Sequence, residues 1–269
     1  MANGNGGFSP NGNHLDTNLA FTKFLFVIPR RDDETVRTRL RLAGSLIARG
    51  FYNDFDADGT RDAQPGETIQ FLVGDPAAAG ATGPATARYV VHLSANYRPR
   101  LRDVEDEFRR RVGDQASVVA IDGALRHPRY TSAEMHDFAY KRALPRMSGR
   151  ATPNAIILPL RKTDEWWQKP PLDRHTHFYP HVDAGGCPIN GHARAAEAGI
   201  STIFRRLYHN PDGYRRENEY DFITYFECRD EHLTTFDAVC DALRDTRQNP
   251  EWRYVIEGPQ WRGRRVLRW

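Results

Sequence analysis

Arg205-Arg-Leu-Tyr-His209, a polar turn, and then Asp221-Phe-Ile-Thr-Tyr-Phe-Glu227 form the stretch whose reading decides the fold. Along an extended segment, side chains alternate between faces. Phe222, Thr224 and Phe226 therefore share one face, and Ile223 and Tyr225 take the other. Apolar residues on both faces predict a strand buried on both sides. Beside Arg205 and a nearby histidine, such a strand can wall a large, flat, apolar ligand. Upstream stand the apolar run Ala155-Ile-Ile-Leu-Pro-Leu160 and the pair Trp166-Trp167.

Outward from this stretch, the chain alternates strands and helices. Residues 1–20 are rich in Gly and Asn and read as a disordered tail. A strand is predicted at 24–28, followed by a helix on the spacing of Val36, Leu40, Ala43 and Ile47. Residues 53–86 read as a long polar stretch, with strong breaker signals at 74–84. Then come a strand at 88–93, an amphipathic helix at 101–112 and a strand at 117–121. The second half repeats the theme, with a strand at 155–160 and helical sequence to about 203. Strands near 204–208 and 220–227, a helix over 232–247 and a strand near 252–257 complete it. The alternation predicts an α+β protein of two ferredoxin-like units, 21–150 and 151–269.

Composition narrows the function. The chain has 269 residues, 38 basic against 35 acidic, and a net charge of +3, so no strong field points to nucleic acid. No apolar run reaches the roughly 18–20 residues of a membrane span. The N-terminus has neither the basic nor the apolar region of a secretory signal. Three irregularly spaced cysteines argue against a disulfide framework. The expectation is cytoplasmic, with a periplasmic origin after signal removal left open.

Pro153-Asn-Ala-Ile-Ile-Leu-Pro-Leu-Arg-Lys-Thr-Asp-Glu-Trp-Trp167, Arg205–His209 and Asp221–Glu227 together resemble the chlorite dismutase family of haem proteins. The resemblance is strong from about Pro153 to the C-terminus and traceable back to about Lys23. It implies that the two units form one antiparallel, barrel-like sheet with peripheral helices, and that the C-terminal unit holds haem b. It also implies a homo-oligomer acting on a small anionic or other small-molecule substrate. The activity implied is conversion of chlorite to chloride and O2 through a ferryl/hypochlorite pair. Two other outcomes stay open: a divergent relative performing peroxidase-like or N–O chemistry in the same pocket, and a non-catalytic haem carrier or sensor.

The same resemblance assigns roles. The iron needs an axial ligand, commonly a neutral imidazole. Counting forward from Trp167 gives His181, and counting back from Arg205 gives His192. His192 is favoured, because His192–Phe204 can run as a helix into the Arg205 strand. Tyr179–Pro188 cannot be regular helix, holding two prolines and Gly-Gly. Arg205 would hold the oxyanion, since a guanidinium is always charged and forks its donors. Arg206, on the other face, is expected to be solvent-exposed or ion-paired. Lys162, Trp166 and Tyr130 are the implied anchors of the haem propionates. The family's carboxylate partner for the proximal histidine falls at Gln248 without a gap, with Glu251 three residues on. Leu158 stands where coproheme decarboxylases carry a tyrosine, which argues against decarboxylation.

One signal is independent of haem. Asp54, Asp56, Asp58 and Asp62 occupy positions one, three, five and nine of an EF-hand-like loop, with Gly59 at six. The bidentate glutamate at twelve is missing, so weak Ca2+ binding is weighed against a solvated Asp-Gly turn.

Overall fold

Two apolar faces on one strand need two partners, and Phe21–Pro29 (β1) has both. Phe24 and Phe26 point to one side and Leu25 and Val27 to the other, all fully buried. The computed structural model describes residues 20–53, 55, 67–76, 81–125, 142–212 and 219–269. Its remaining strands are Glu67–Gly74 (β2), Tyr89–Ala95 (β3), Ala116–Ala124 (β4), Asn154–Lys162 (β5), His181–Val182 (β6), Pro188–Ile189 (β7), Ile203–His209 (β8), Phe222–Cys228 (β9), Val255–Glu257 (β10) and Trp261–Val266 (β11).

Eight of these strands close into an antiparallel barrel in the order β5-β11-β2-β3-β1-β4-β8-β9, with β9 returning to β5. β10 extends the far end of β5, and β6 and β7 form a separate two-stranded hairpin. Strand order repeats along the chain. In the first half it is β4-β1-β3-β2 and in the second β11-β5-β9-β8, each 4-1-3-2 when the barrel strands of that half are counted from its own first strand. Among the described residues, β11 and β2 pair over four residues, and β4 meets β8 at Ala124 and His209.

The barrel interior is packed with side chains. Phe24, Phe26, Leu72, Val90, Ile157, Ile223, Tyr225 and Trp261 form its apolar part. The rest is polar and tightly bonded. Glu227, fully buried, accepts hydrogen bonds from Arg265 Nη1 (2.7 Å), Arg146 Nε (3.0 Å) and Gln70 Nε2 (3.3 Å). His92 bridges Gln70 Oε1 and Thr22 Oγ1 at 2.9 Å each. Arg206 belongs to this interior. It is buried, with its guanidinium 5.4 Å from the centre of the Phe204 ring, so of the two expectations, exposed or ion-paired, the exposed one is corrected.

Outside the first half lie two helices, Glu34–Ile47 (α1) and Arg98–Val112 (α2). Asp33 caps α1 by accepting from the Val36 N–H (2.9 Å). Val36, Leu40, Ala43 and Ile47 from α1, and Leu101, Val104, Phe108 and Val112 from α2, cover Leu25, Val27, Ile69, Phe71, Val91 and Leu93.

Three sequence readings of local structure need correction. β2 lies inside the stretch read as polar loop; its signal, Ile69-Gln-Phe-Leu-Val73, is short but apolar on both faces. The last barrel strand is β11, whose alternation is masked by four arginines at 262–268. The 161–203 segment contains only short helices, Asp164–Gln168, Pro171–Thr176 and Gly191–Ala195, so no continuous helix joins His192 to β8. The tail up to residue 19, Tyr130, and Asp54, Asp56, Asp58 and Asp62 lie outside the described residues.

Candidate functional site

Register aligns one wall of the site. β5, β9 and β8 lie side by side, so Ile156, Phe226 and Arg205 form one row, Leu158, Thr224 and Leu207 the next, and Leu160, Phe222 and His209 a third. Lys162 continues the same face of β5. These rows look away from the barrel interior, onto the side covered by the helix Leu233–Arg244 and the short helices of 164–199. Between sheet and helices lies an apolar cleft of about 210 Å³. Its sheet wall includes Leu158, Arg205, Leu207, Phe222, Thr224 and Phe226. Its helical wall includes Phe178, His192, Phe236, Val239, Cys240 and Leu243. Large, mostly apolar concavities with a few convergent polar groups are where small molecules and cofactors bind.

The polar groups converge at one end. His192 Nδ1 lies 3.2 Å from Glu251 Oε2, and Glu251 Oε1 lies 2.5 Å from Lys162 Nζ. An imidazole that donates from Nδ1 keeps a lone pair on Nε2, the form a metal needs, and a carboxylate behind it raises its donor strength. Glu251 rather than Gln248 makes this contact; Gln248 instead accepts at its backbone carbonyl from the Gly191 N–H. Burial alone would push the Glu251 carboxyl up, but Lys162 and His192 outweigh burial and hold it well below the usual carboxylate range. Burial draws Lys162 down, and Glu251 opposes that.

Trp166 completes this end of the cleft. Lys162 Nζ sits 4.1 Å from the centre of its ring. The indole is 1% exposed and its Nε1 has no hydrogen-bond partner among the described residues. Buried donors are nearly always paired. A solitary one on the wall of a cleft marks where an acceptor on a ligand belongs. Lys162, expected to hold a propionate, donates to Glu251 from one of its three N–H groups. Trp167 is a rim residue, 38% exposed, with its ring 6.1 Å from that of Phe222 and the Arg174 guanidinium 5.6 Å from it.

Of the five histidines between 175 and 209, His192 is the one that lines the cleft. His181 is exposed on the hairpin, its Nδ1 turned to the Tyr179 carbonyl at 2.9 Å. His177 packs on Trp166 and Tyr254, and burial pushes its pKa down. Cys240 lines the cleft, but burial pushes its thiol up to about 11, so it stays neutral. Arg205 and Arg174 bring guanidinium groups to the cleft from the sheet and from the helix Pro171–Thr176. Arg174 was not singled out in the sequence; a cation seven residues after Trp167 becomes a cleft residue only because the chain folds back at Pro170-Pro171. Among the described residues, no group of three or more His, Cys, Asp or Glu could hold a metal ion by itself. A single imidazole in an apolar cleft suits a metal already held in a flat macrocycle. No helix of the described residues is long and apolar enough to cross a membrane.

No family profile matches the chain. Solved structures do. The chlorite dismutase of Candidatus Nitrospira defluvii in complex with imidazole aligns at 19% identity with a TM-score of 0.65, covering 93% of this chain and 92% of that one. A doubly substituted form of the same enzyme aligns at 18% identity over the same shares, also at 0.65. An arginine-to-lysine variant of it covers 94% and 93%, at 18% identity and 0.65. At this level of identity the likeness establishes the fold. The chain has the chlorite dismutase fold, two ferredoxin-like units closed into one antiparallel barrel.

Proposed function

We propose that this chain is a haem b enzyme of the chlorite dismutase type, converting chlorite to chloride and O2. The observation that carries the reading is the His192–Glu251–Lys162 chain of contacts, set in an apolar cleft with a guanidinium on the facing sheet. The residues fit haem. The cleft is apolar, the one imidazole lining it among the described residues is backed by a carboxylate, and Trp166 Nε1 is a buried donor with no acceptor among them. When bound, haem supplies a redox-active iron at which a chlorine–oxygen bond can be broken and an oxygen–oxygen bond made.

The protein's part is binding and orientation. His192 would hold the iron through an imidazole nitrogen, and Glu251, kept ionised by Lys162, would make that nitrogen a stronger donor. Trp166 and Arg174 would take the acid groups of the macrocycle. Arg205 attracts the monoanion and holds its oxygens through forked donors, and it cannot act as a proton donor. That suits a reaction in which ClO2− becomes Cl− and O2 with no proton gained or lost. Leu158, Leu207 and Phe226 keep bulk water from the reacting atoms, which strengthens the hold of Arg205 on the anion.

Oxygen evolution from chlorite by the haem-loaded ferric protein tests the reading. Arg205→Ala is expected to lower the rate about 100-fold or more, the scale of losing one preorganised charge-stabilising donor. A haem-replete protein inert to chlorite would overturn it. In that event, spectral shifts with peroxide or with nitrogenous substrates would favour the second reading, in which the same pocket performs peroxidase-like or N–O chemistry. The excursion at 180–190 beside His192 is the feature that favours it.

A further inference from the structure

The helix that presents His192 is five residues long, and Asn190 gives it no side-chain cap. Its first N–H groups still need acceptors. They find them in distant backbone. The Gly191 N–H donates to the Gln248 carbonyl (2.9 Å), the His192 N–H to the His177 carbonyl (3.1 Å) and the Ala193 N–H to the Phe178 carbonyl (2.9 Å). Residues 177–179 therefore lie against residues 191–193. What runs between them is a closed excursion ending in the exposed β6–β7 hairpin. At its base only glycine fits. Gly191 has φ of +65°, and a Cβ there would stand 2.6 Å from the Tyr179 oxygen and 2.9 Å from the Phe178 oxygen.

This base delivers one side chain to the imidazole. Phe178 is 8% exposed and lines the cleft beside His192. The two rings lie 5.9 Å apart, centre to centre, and within 19° of parallel. Glu251 fixes one atom of the imidazole, at Nδ1, and a single hydrogen bond leaves rotation about its own axis free. A flat group laid against the ring face removes that freedom, so the two contacts restrain different motions.

We propose that Phe178, carried on the base of the 180–190 excursion, is a positioning residue that sets the plane of the His192 imidazole. The proposal rests on the reading of His192 as the axial ligand of haem. The plane of an axial imidazole governs its π overlap with the iron, and hence the magnetic anisotropy of the low-spin ferric state.

The test uses the full chain loaded with haem b, as wild type, Phe178→Leu and Phe178→Trp. In the ferric cyanide complex, Phe178→Leu is expected to change the g-anisotropy in electron paramagnetic resonance and the spread of the haem methyl proton shifts, with haem still bound. Phe178→Trp, which restores a flat face, is expected to return both toward wild type. In the haem-free protein the His192 ring proton should also move in Phe178→Leu, because an aromatic ring current is lost. Folded, haem-replete Phe178→Leu with spectra superimposable on wild type would overturn the proposal. A wild-type spectrum showing no nitrogen ligand from His192 would instead overturn the reading beneath it, and the proposal with it. The haem-free ring-current shift tells these two failures apart, since it reports the contact without the cofactor.

Discussion

The two halves of the barrel share one strand order and differ in what covers them. Over the first half, α1 and α2 run 14 and 15 residues and each buries an apolar stripe on the sheet. Trp269 helps to close the gap between them, its ring 5.2 Å from Phe71 and 6.1 Å from Phe108. Over the second half, the position equivalent to α1 is taken by short helices broken at Pro170-Pro171 and at Gly191. The helix Leu233–Arg244 buries only Phe236 and Cys240. A broken helix cannot lay a continuous stripe on a sheet, and the uncovered space is the cleft. The same architecture thus gives a filled core on one side and an open apolar cleft on the other.

Loss of His192 should break this contrast most completely. His192→Ala is expected to abolish retention of haem, while His181→Ala leaves it intact; the Soret band after reconstitution and gel filtration distinguishes them. If His192→Ala keeps a normal Soret band, the cleft does not use that imidazole. Core truncation sharpens the contrast next. Phe108→Ala, in the filled half, is expected to cost about 3–5 kcal/mol and to leave haem affinity unchanged. Leu207→Ala, whose side chain faces existing space, should cost less than about 2 kcal/mol but weaken haem binding. Urea unfolding with a haem titration measures both, and equal stability losses would deny that the second half is under-filled.

Glu251 gives a third test. Glu251→Gln leaves the buried Lys162 ammonium without its counter-ion and is expected to cost about 3–5 kcal/mol. The pH dependence follows from the lowered carboxyl. Below its unfolded value of about 4.3, the unfolded chain takes up a proton that the folded chain refuses. The contribution of Glu251 is therefore full above that value and drains away as pH falls toward the lower folded value. Acid unfolding should lose part of its steepness in Glu251→Gln, and an unchanged profile would mean that the carboxylate is not held by Lys162 and His192. The smallest effect expected is a shift of the Soret position in the same variant, as the axial imidazole becomes a weaker donor.

Much of this was legible from residues alone. Alternation on both faces marked β9, and helical spacing marked α1, because these patterns report burial directly. The resemblance carried by Pro153–Trp167, Arg205–His209 and Asp221–Glu227 led to the barrel, which the solved structures share. β2 and β11 were missed for opposite reasons. β2 hides in a polar neighbourhood, and β11 carries arginines whose charges are satisfied far along the chain, as Arg265 is by Glu227. His192, Arg205 and Trp166, singled out in the sequence, line one cleft, but their connections were not legible.

Local pattern, set by side-chain period and by Gly and Pro, determined which segments are strands, where the helices break and which faces are apolar. Those properties depend on neighbours a few residues away, so one chain suffices to read them. Tertiary structure alone decided that Glu251 backs His192, that Lys162 answers Glu251 and that Arg206 turns into the barrel. The first two are contacts between charged or polar groups 59 and 89 residues apart along the chain. Their strength depends on burial and on separations of a few ångströms, which no spacing in the sequence encodes.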